Sequence, residues 1–466
     1  MLSKTDIEFF EELIGHTNVR QNLEDLNLAA SDYTEDLFYL PEVVLLPDNS
    51  AEISSILKYC NSKLIPVYTR GAGTGLSGAC LPVKGGVVLS TKRLNKIIDI
   101  DIENLQAMVE PGVINQDLKN ELSSSGLTYP PDPASMGSST IGGNIAHGSG
   151  GPKAVKYGVT RDYVLNLEVV LPTGDVIWTG ANTLKNSTAF SLTHLMIGSE
   201  GLLGVITKAV LKLVPLKSEE LLMLAAFDNA ESAAICVNKI LLNGFLPAGI
   251  ELMEKSGVEI VLNQQQYNFP TPETAEFFLM IILDGNDQNI LMQTAEELYP
   301  LLEENNAIEV FLPNNADMAE EWWSVRRKMG EAVKSQSIYK EEDTVVPRSK
   351  LPQLLTGVKK IESKYGFRTV CYGHSGDGNL HINILKDNLT DDEWNIEVPK
   401  GIREIFQLCK DLGGTISGEH GIGLVQKDYL DIVMTPTHMK LFSGIKTAFD
   451  PHNILNPGKW VESSVD

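Results

Sequence analysis

The chain has 466 residues, too many for one compact core, so two or three domains with room for a large ligand are expected. Its 38 basic and 61 acidic residues leave a net charge of −23, which repels nucleic acid and anionic membrane surfaces and makes any local cluster of Arg and Lys informative. Five scattered cysteines (Cys60, Cys80, Cys236, Cys371, Cys409) with no CxxC pair exclude a disulfide framework, a zinc ribbon and an iron-sulfur cluster, and fit a reducing, cytoplasmic compartment.

The N-terminal stretch to Gly15 is acidic and amphipathic, without the basic and apolar blocks of an export signal. The longest apolar runs, such as Phe277 to Leu283, have strand length and fall short of the ~20 residues that span a bilayer, so at most peripheral membrane contact is expected. From Pro41 to Pro215, short β-type runs alternate with glycine-rich turns: Val43 to Leu46, Leu64 to Thr69, Gly86 to Ser90, Ala107 to Val109, Leu165 to Leu171 and Gly204 to Leu213. After Leu216 the order becomes strand (Leu221 to Phe227), helix (Ala230 to Leu242), strands (Ile250 to Met253, Phe278 to Leu283), helix (Asn289 to Leu302) and strand (Ile308 to Phe311), a ferredoxin-like succession. Helices are predicted near Ala319 to Lys334, Ser349 to Tyr365 and Trp394 to Leu412, with a strand over Arg368 to Tyr372.

The loop Arg70-Gly71-Ala72-Gly73-Thr74-Gly75-Leu76-Ser77-Gly78 contains a formal G-x-G-x-x-G, but Pro82, Gly85 and Gly86 interrupt the helix that a dinucleotide fold requires there. Such a loop can still wrap a pyrophosphate as a nest, because glycines let the backbone approach the anion. A second loop, from Pro131 and Asp132 through Ser135, Gly137, Ser139, Thr140, Gly142, Gly143 and Asn144 to Gly150 and Gly151, is denser still in small and hydroxyl side chains. A third lies at Gly198-Ser199-Glu200-Gly201. Together they point to a large phosphate-bearing cofactor.

These loops, with Lys156-Tyr157-Gly158, Arg161-Asp162 and the run from Gly198 to Gly204, resemble the PCMH-type FAD domain of the vanillyl-alcohol-oxidase superfamily. Within it the chain is most similar to the D-lactate, glycolate and D-2-hydroxyglutarate dehydrogenases. The resemblance implies an α+β fold: a two-subdomain FAD-binding domain over residues 1–217 (core about 38–217), a ferredoxin-like α/β cap domain over 218–420, and a C-terminal helical segment, 421–466, that returns to the FAD domain. It implies FAD contacts from the loop residues above and from Tyr157, Gly158, Glu200, Gly201, Gly204, Val205, Ile206 and Asn456. The first loop lacks the histidine that attaches FAD covalently in some members, so FAD is expected to be noncovalent. His147-Gly148-Ser149 stands where relatives often carry Thr-Asn-Ala, and Ala189-Phe190 replaces a usual Gly-Tyr.

The densest chemistry lies in Gly373-His374-Ser375-Gly376-Asp377-Gly378-Asn379-Leu380-His381-Ile382-Asn383 and in Ser417-Gly418-Glu419-His420. His374 and His381 are seven apart, which on one straight strand would place them on opposite faces. The intervening Gly376–Asn379 turn allows the imidazoles to converge, and alternation puts His381 and Asn383 on one face. Two imidazoles and the Glu419 carboxylate form an N/O donor set suited to zinc, manganese or a similar divalent ion that lowers a substrate hydroxyl pKa.

The resemblance assigns His420 as general base and Arg326 as carboxylate clamp, and in its 2-hydroxyglutarate branch a lysine matching Lys340 helps hold the substrate. Lys340 and Arg348 are weaker candidates than Arg326, and Asn383, on the face of His381, is a further catalytic candidate. The implied reaction oxidises a small D-2-hydroxy acid (lactate, glycolate, malate or 2-hydroxyglutarate type) by hydride transfer to flavin N5. No sequence feature provides an internal acceptor, so electrons are expected to leave to an electron-transfer flavoprotein, a quinone, a cytochrome or an iron-sulfur subunit. Homodimerisation is compatible with the sequence but not read from it. Two other readings stay open: a catalytically silent electron-relay flavoprotein, and a metal-free oxidase of the same superfamily.

Overall fold

A computed structural model describes residues 1–464. The chain divides into two compact units, one of residues 1–150, 159–216 and 419–466, the other of residues 151–158 and 217–418.

The first unit contains two main sheets. Val43–Leu45, Val87–Ser90 and Val67–Arg70 run parallel, with the strand Val19–Arg20 antiparallel at one edge. Parallel neighbours require a crossover, and the helix Ser50–Lys63 supplies it, burying Ile53, Ile56, Leu57 and Cys60 in a core shared with Val43, Leu45, Val67, Val87 and Leu89. The second sheet is antiparallel, in the order Ile97–Asp101, Gln106–Val109, Val205–Lys212, Val164–Val170, Val176–Trp178. This is the expected two-subdomain arrangement. The first glycine-rich loop leaves the buried strand Val67–Arg70 directly, the second follows the short strand Leu127–Thr128, and the third follows the helix Leu192–Met196.

The C-terminal segment returns to this unit as expected. The amide of Val67 donates to Ile454 and that of Asn456 to Val67, so Leu455 bridges onto the edge strand Val67–Arg70. The return is held by a wholly buried ion pair. Lys446, in the helix Pro436–Phe449, donates to Asp450 at 2.6 Å and to the carbonyls of Leu202 and Leu455, each at 2.8 Å. Asp450 also accepts the amides of Ile454 and Leu455, so all the strong polar groups of this node are paired.

The second unit is built on a seven-stranded sheet in the order Glu309–Phe311, Glu219–Phe227, Phe277–Gly285, Gly249–Glu254, Arg368–His374, Asn379–Leu385, Tyr339–Val345, with every neighbouring pair antiparallel. The first four have the 4-1-3-2 order of a ferredoxin-like sheet, and the remaining three extend its open edge. One face carries Leu222, Met253, Phe278, Met280, Val370, Tyr372 and Leu385, covered by the helices Lys255–Gln264 and Ala316–Lys334 through Val258, Val261, Trp322, Val325 and Met329. Residues 151–158 belong to this unit: Lys156 and Tyr157 both reach Asp284, the tyrosine hydroxyl at 2.5 Å. Among the described residues no helix is long and apolar enough to cross a membrane.

Removing Lys446 strands a buried carboxylate. Lys446→Met should lower unfolding free energy by about 3–5 kcal/mol, read by chemical denaturation, and release the C-terminal segment to limited proteolysis.

Candidate active site

The hairpin of the second unit creates the densest polar cluster. Strand Arg368–His374 turns through Ser375–Gly378 into strand Asn379–Leu385, with Tyr372 opposite His381 and Val370 opposite Asn383. Gly378 adopts φ +92, and a Cβ there would come within 2.1 Å of the Val346 carbonyl oxygen, so the turn needs glycine on two counts. Opposed residues share a face, and His374 lies two residues beyond Tyr372, so His374 and His381 become diagonal neighbours. Their ring centroids are 5.5 Å apart at an interplanar angle of 88°, and both rings are buried.

A third strand orients them. Glu251 stands opposite His374 in the sheet, is 0 % exposed, and its Oε1 lies 2.8 Å from His374 Nδ1. Its Oε2 accepts from Arg326 Nε at 2.7 Å and lies 2.6 Å from Nη2 of the same guanidinium, the arginine coming from the covering helix Ala316–Lys334. Burial by itself would push the Glu251 carboxyl up, but the neighbouring His374 and Arg326 outweigh it and hold it below the usual range. Because a carboxylate only accepts, His374 Nδ1 carries its proton toward Glu251, the way a buried carboxylate commonly orients a metal-ligating histidine. The Arg326 guanidinium also lies 5.1 Å from the Tyr372 ring centroid.

On the other flank, strand Tyr339–Val345 sets Asp343 opposite His381 and Glu341 opposite Asn383. Glu341 Oε1 is 3.5 Å from His381 Nδ1. Asp343 accepts from Asn379 Nδ2 at 2.7 Å, from Ser417 Oγ at 3.1 Å and from the Gly418 amide at 2.7 Å. Asn383 is wholly buried, and neither atom of its carboxamide meets a partner at hydrogen-bonding geometry, although the Tyr372 hydroxyl is nearby. Lys340 is not part of this cluster. It pairs with Ile384, faces the opposite side of the sheet, and lies over the Trp394 ring at 5.2 Å. Arg348 reaches the Gly376 carbonyl at the hairpin turn.

The first unit holds the glycine-rich loops. A Cβ on Gly71 would fall 2.5 Å from Thr140 Oγ1, so the first loop packs directly on the start of the second. Arg70 is buried and directs its guanidinium to the Leu28 carbonyl and Cys80, bracing the loop from below. Around the loops, Thr69 Oγ1, Ser77 Oγ, Ser139 Oγ, Asn144 Nδ2 and Asn456 Oδ1 are buried without a protein partner. Glu200 sits at φ +52 and accepts the amides of Ile422 at 2.7 Å and Gly423 at 2.8 Å. His147 Nδ1 lies 3.0 Å from the His420 carbonyl, and the Gly150 amide donates to Glu419 Oε2 at 3.1 Å. Of the other expected cofactor contacts, Thr74, Gly75 and Leu76 lie in the first loop and Pro131, Asp132, Ser135, Gly137, Gly142 and Gly143 in the second. Gly201 backs onto Asn456, while Gly204 leads into the strand that starts with Val205 and Ile206. Gly151, Tyr157 and Gly158 fall in the second unit.

Comparison with known proteins agrees with this architecture. Residues 41–180 match the FAD binding domain model, and residues 216–460 match that of FAD linked oxidases, C-terminal domain. The glycolate oxidase subunit GlcD of Bacillus subtilis (strain 168) is 38% identical over 447 residues, covering 94% of each chain. The chain belongs to the FAD-linked oxidase family. A D-lactate dehydrogenase of Anaerostipes hadrus is 37% identical over 442 residues and 92% of each chain. The solved structure of p-cresol methylhydroxylase with substrate bound shares the fold, with a TM-score of 0.81 at 20% identity, over 98% of this chain and 96% of that one.

This FAD-linked oxidoreductase therefore shares the fold of p-cresol methylhydroxylase, and its own residues fit FAD. Five unsatisfied buried polar atoms around glycine loops are unfavourable in an empty fold, each costing about 1–3 kcal/mol, and suit a ligand rich in hydroxyl and phosphate oxygens. The sequence analysis missed Glu251, Glu341, Asp343 and the bonding role of His147. Glu251 did leave a signal, a single charge within the apolar run Gly249-Ile250-Glu251-Leu252-Met253, where a carboxylate survives only if paired. Glu251→Gln should therefore lower the stability of the purified protein by about 3 kcal/mol or more in denaturant titrations, because it leaves the Arg326 charge buried and uncompensated.

Proposed function

We propose that this protein oxidises a small D-2-hydroxy acid to the 2-oxo acid, with His374, His381 and Glu419 as ligands of a divalent metal and His420 as general base. The observation that carries this reading is the buried, edge-on pair of imidazoles, one of them held through its Nδ1 by the buried Glu251 carboxylate. Relatives named for glycolate and D-lactate support the substrate class.

FAD supplies the two-electron acceptor that conversion of an alcohol to a ketone requires. The divalent ion supplies a Lewis acid that makes a bound hydroxyl more acidic. The chain's own residues do the rest. Gly418 is tied to Asp343, the strand partner of His381, and Glu419 follows it directly, its Cα about 3.8 Å further along the chain. The Gly150 amide donates to its Oε2 and fixes the orientation of the Glu419 carboxylate. His147 and Glu200 grip the backbone at positions 420, 422 and 423, which restricts where the His420 ring can go. An imidazole with a reference pKa near ~6.5 accepts the substrate hydroxyl proton at neutral pH. The C2 hydrogen then leaves with its electron pair. Arg326, braced by Glu251, is the guanidinium of the cluster that can face the substrate carboxylate. Electrons leave to an external partner, an electron-transfer flavoprotein, quinone, cytochrome or iron-sulfur subunit.

The test is anaerobic bleaching of the flavin by D-lactate and glycolate before chelation, after chelation and after metal return. Bleaching lost on chelation and restored by zinc or manganese is expected, and His420→Ala should slow it by about 100-fold or more while the FAD stays bound. Retained bleaching after complete metal removal would select the metal-free oxidase, and bound FAD that no acid reduces would select the relay flavoprotein.

A further inference from the structure

Resting on that reading, we infer that Glu341 restricts this enzyme to monocarboxylic 2-hydroxy acids, of the glycolate and lactate class, and selects against dicarboxylic ones such as D-malate and D-2-hydroxyglutarate. The argument starts from register. Glu341 is opposite Asn383, and Asp343 is opposite His381, so both carboxylates lie on the sheet face that carries His374, His381, Asn383 and Tyr372. The Glu341 side chain is only 11% exposed and reaches to within 3.5 Å of His381. A partly desolvated carboxylate there acts at short range with little solvent screening.

Among the described residues, the Arg and Lys side chains near this face do not pair with Glu341, and the two charges of the proposed metal are matched by Glu419 and the substrate's first carboxylate. Arg326 is already engaged by Glu251 through a hydrogen bond and a close ion pair, and one guanidinium suits one substrate carboxylate. Lys340, adjacent in sequence, projects to the opposite face over Trp394. Lys334 lies over the ring of Tyr339, which pairs with Leu385, one same-face step further from His381 than Asn383. A second substrate carboxylate entering beside Asn383 would find amide and phenol donors but also the Glu341 anion. Juxtaposed like charges are a strong device for rejecting a wrong ligand. A hydrogen or methyl group in the same place meets no such penalty.

The experiment is rapid-mixing flavin reduction of the holoenzyme, reading the reduction rate over apparent Kd for glycolate, D-lactate, D-malate and D-2-hydroxyglutarate, in wild type, Glu341→Gln and Glu341→Lys. Wild type should favour the better monocarboxylate over either dicarboxylate by about 100-fold or more. The ratio should move toward dicarboxylates by about tenfold in Glu341→Gln and further in Glu341→Lys. A wild type that prefers D-malate or D-2-hydroxyglutarate overturns the inference while leaving the functional reading intact. So does an unmoved ratio in flavin-loaded variants. If the variants lose FAD or fail to fold, the wild-type preference decides alone. Reduction by none of the four acids overturns the functional reading and this inference with it.

Discussion

A carboxylate with no solvent exposure organises the polar half of the second unit. Glu251 sits in the middle of a sheet between Ile250 and Leu252 and opposite Met280, and its charge survives there because Arg326 and His374 take one oxygen each. The desolvation of such a group is costly, so the arrangement is tolerable only as a complete triad. That condition couples three elements: the central strand Gly249–Glu254, the hairpin strand Arg368–His374 and the covering helix Ala316–Lys334. It also sets which nitrogen of His374 faces outward. The packing of the helix and the chemistry of the imidazole are thus two consequences of one pairing.

The first unit solves a different problem, the approach of backbone to a large anionic cofactor. Its loops use glycine where side chains would collide and leave buried hydroxyls and amides without protein partners. The strained Glu200, at φ +52, spends its carboxylate on two backbone amides of the segment that follows His420. Non-glycine residues hold such a conformation only where surrounding bonds over-determine it, and the Asn456 amide on the Glu200 carbonyl is one of them. The strain is thereby linked to the placement of a proposed catalytic backbone rather than to an isolated turn.

Some elements escaped sequence reading for identifiable reasons. Strand Tyr339–Val345 contains four consecutive polar residues, Lys340 to Asp343, which break the period-two pattern. It is a strand because the hairpin strand beside it offers a full antiparallel ladder. The helix Lys255–Gln264 has only a modest apolar stripe and gains its stability from packing beneath Met329 and Val325. The family resemblance implies a substrate contact from Lys340, whereas pleat alternation turns that side chain to the opposite face and presents Glu341 instead.

The sequence by itself determined the class of molecule. Glycine spacing, the failure of the helix after Gly78 and the paired histidine and glutamate motifs are local, and they suffice to read a phosphate-bearing cofactor and a candidate N/O donor set, while the flavin fold was implied by the family resemblance those motifs carry. The tertiary structure decided charge pairing, tautomer and facing. Glu251 meets His374 across 123 positions and Arg326 across 75, separations at which no periodicity connects residues. Whether a buried ionic group is a ligand, a brace or a barrier depends on which opposite charge or dipole is nearest in space, and only the folded chain sets that distance.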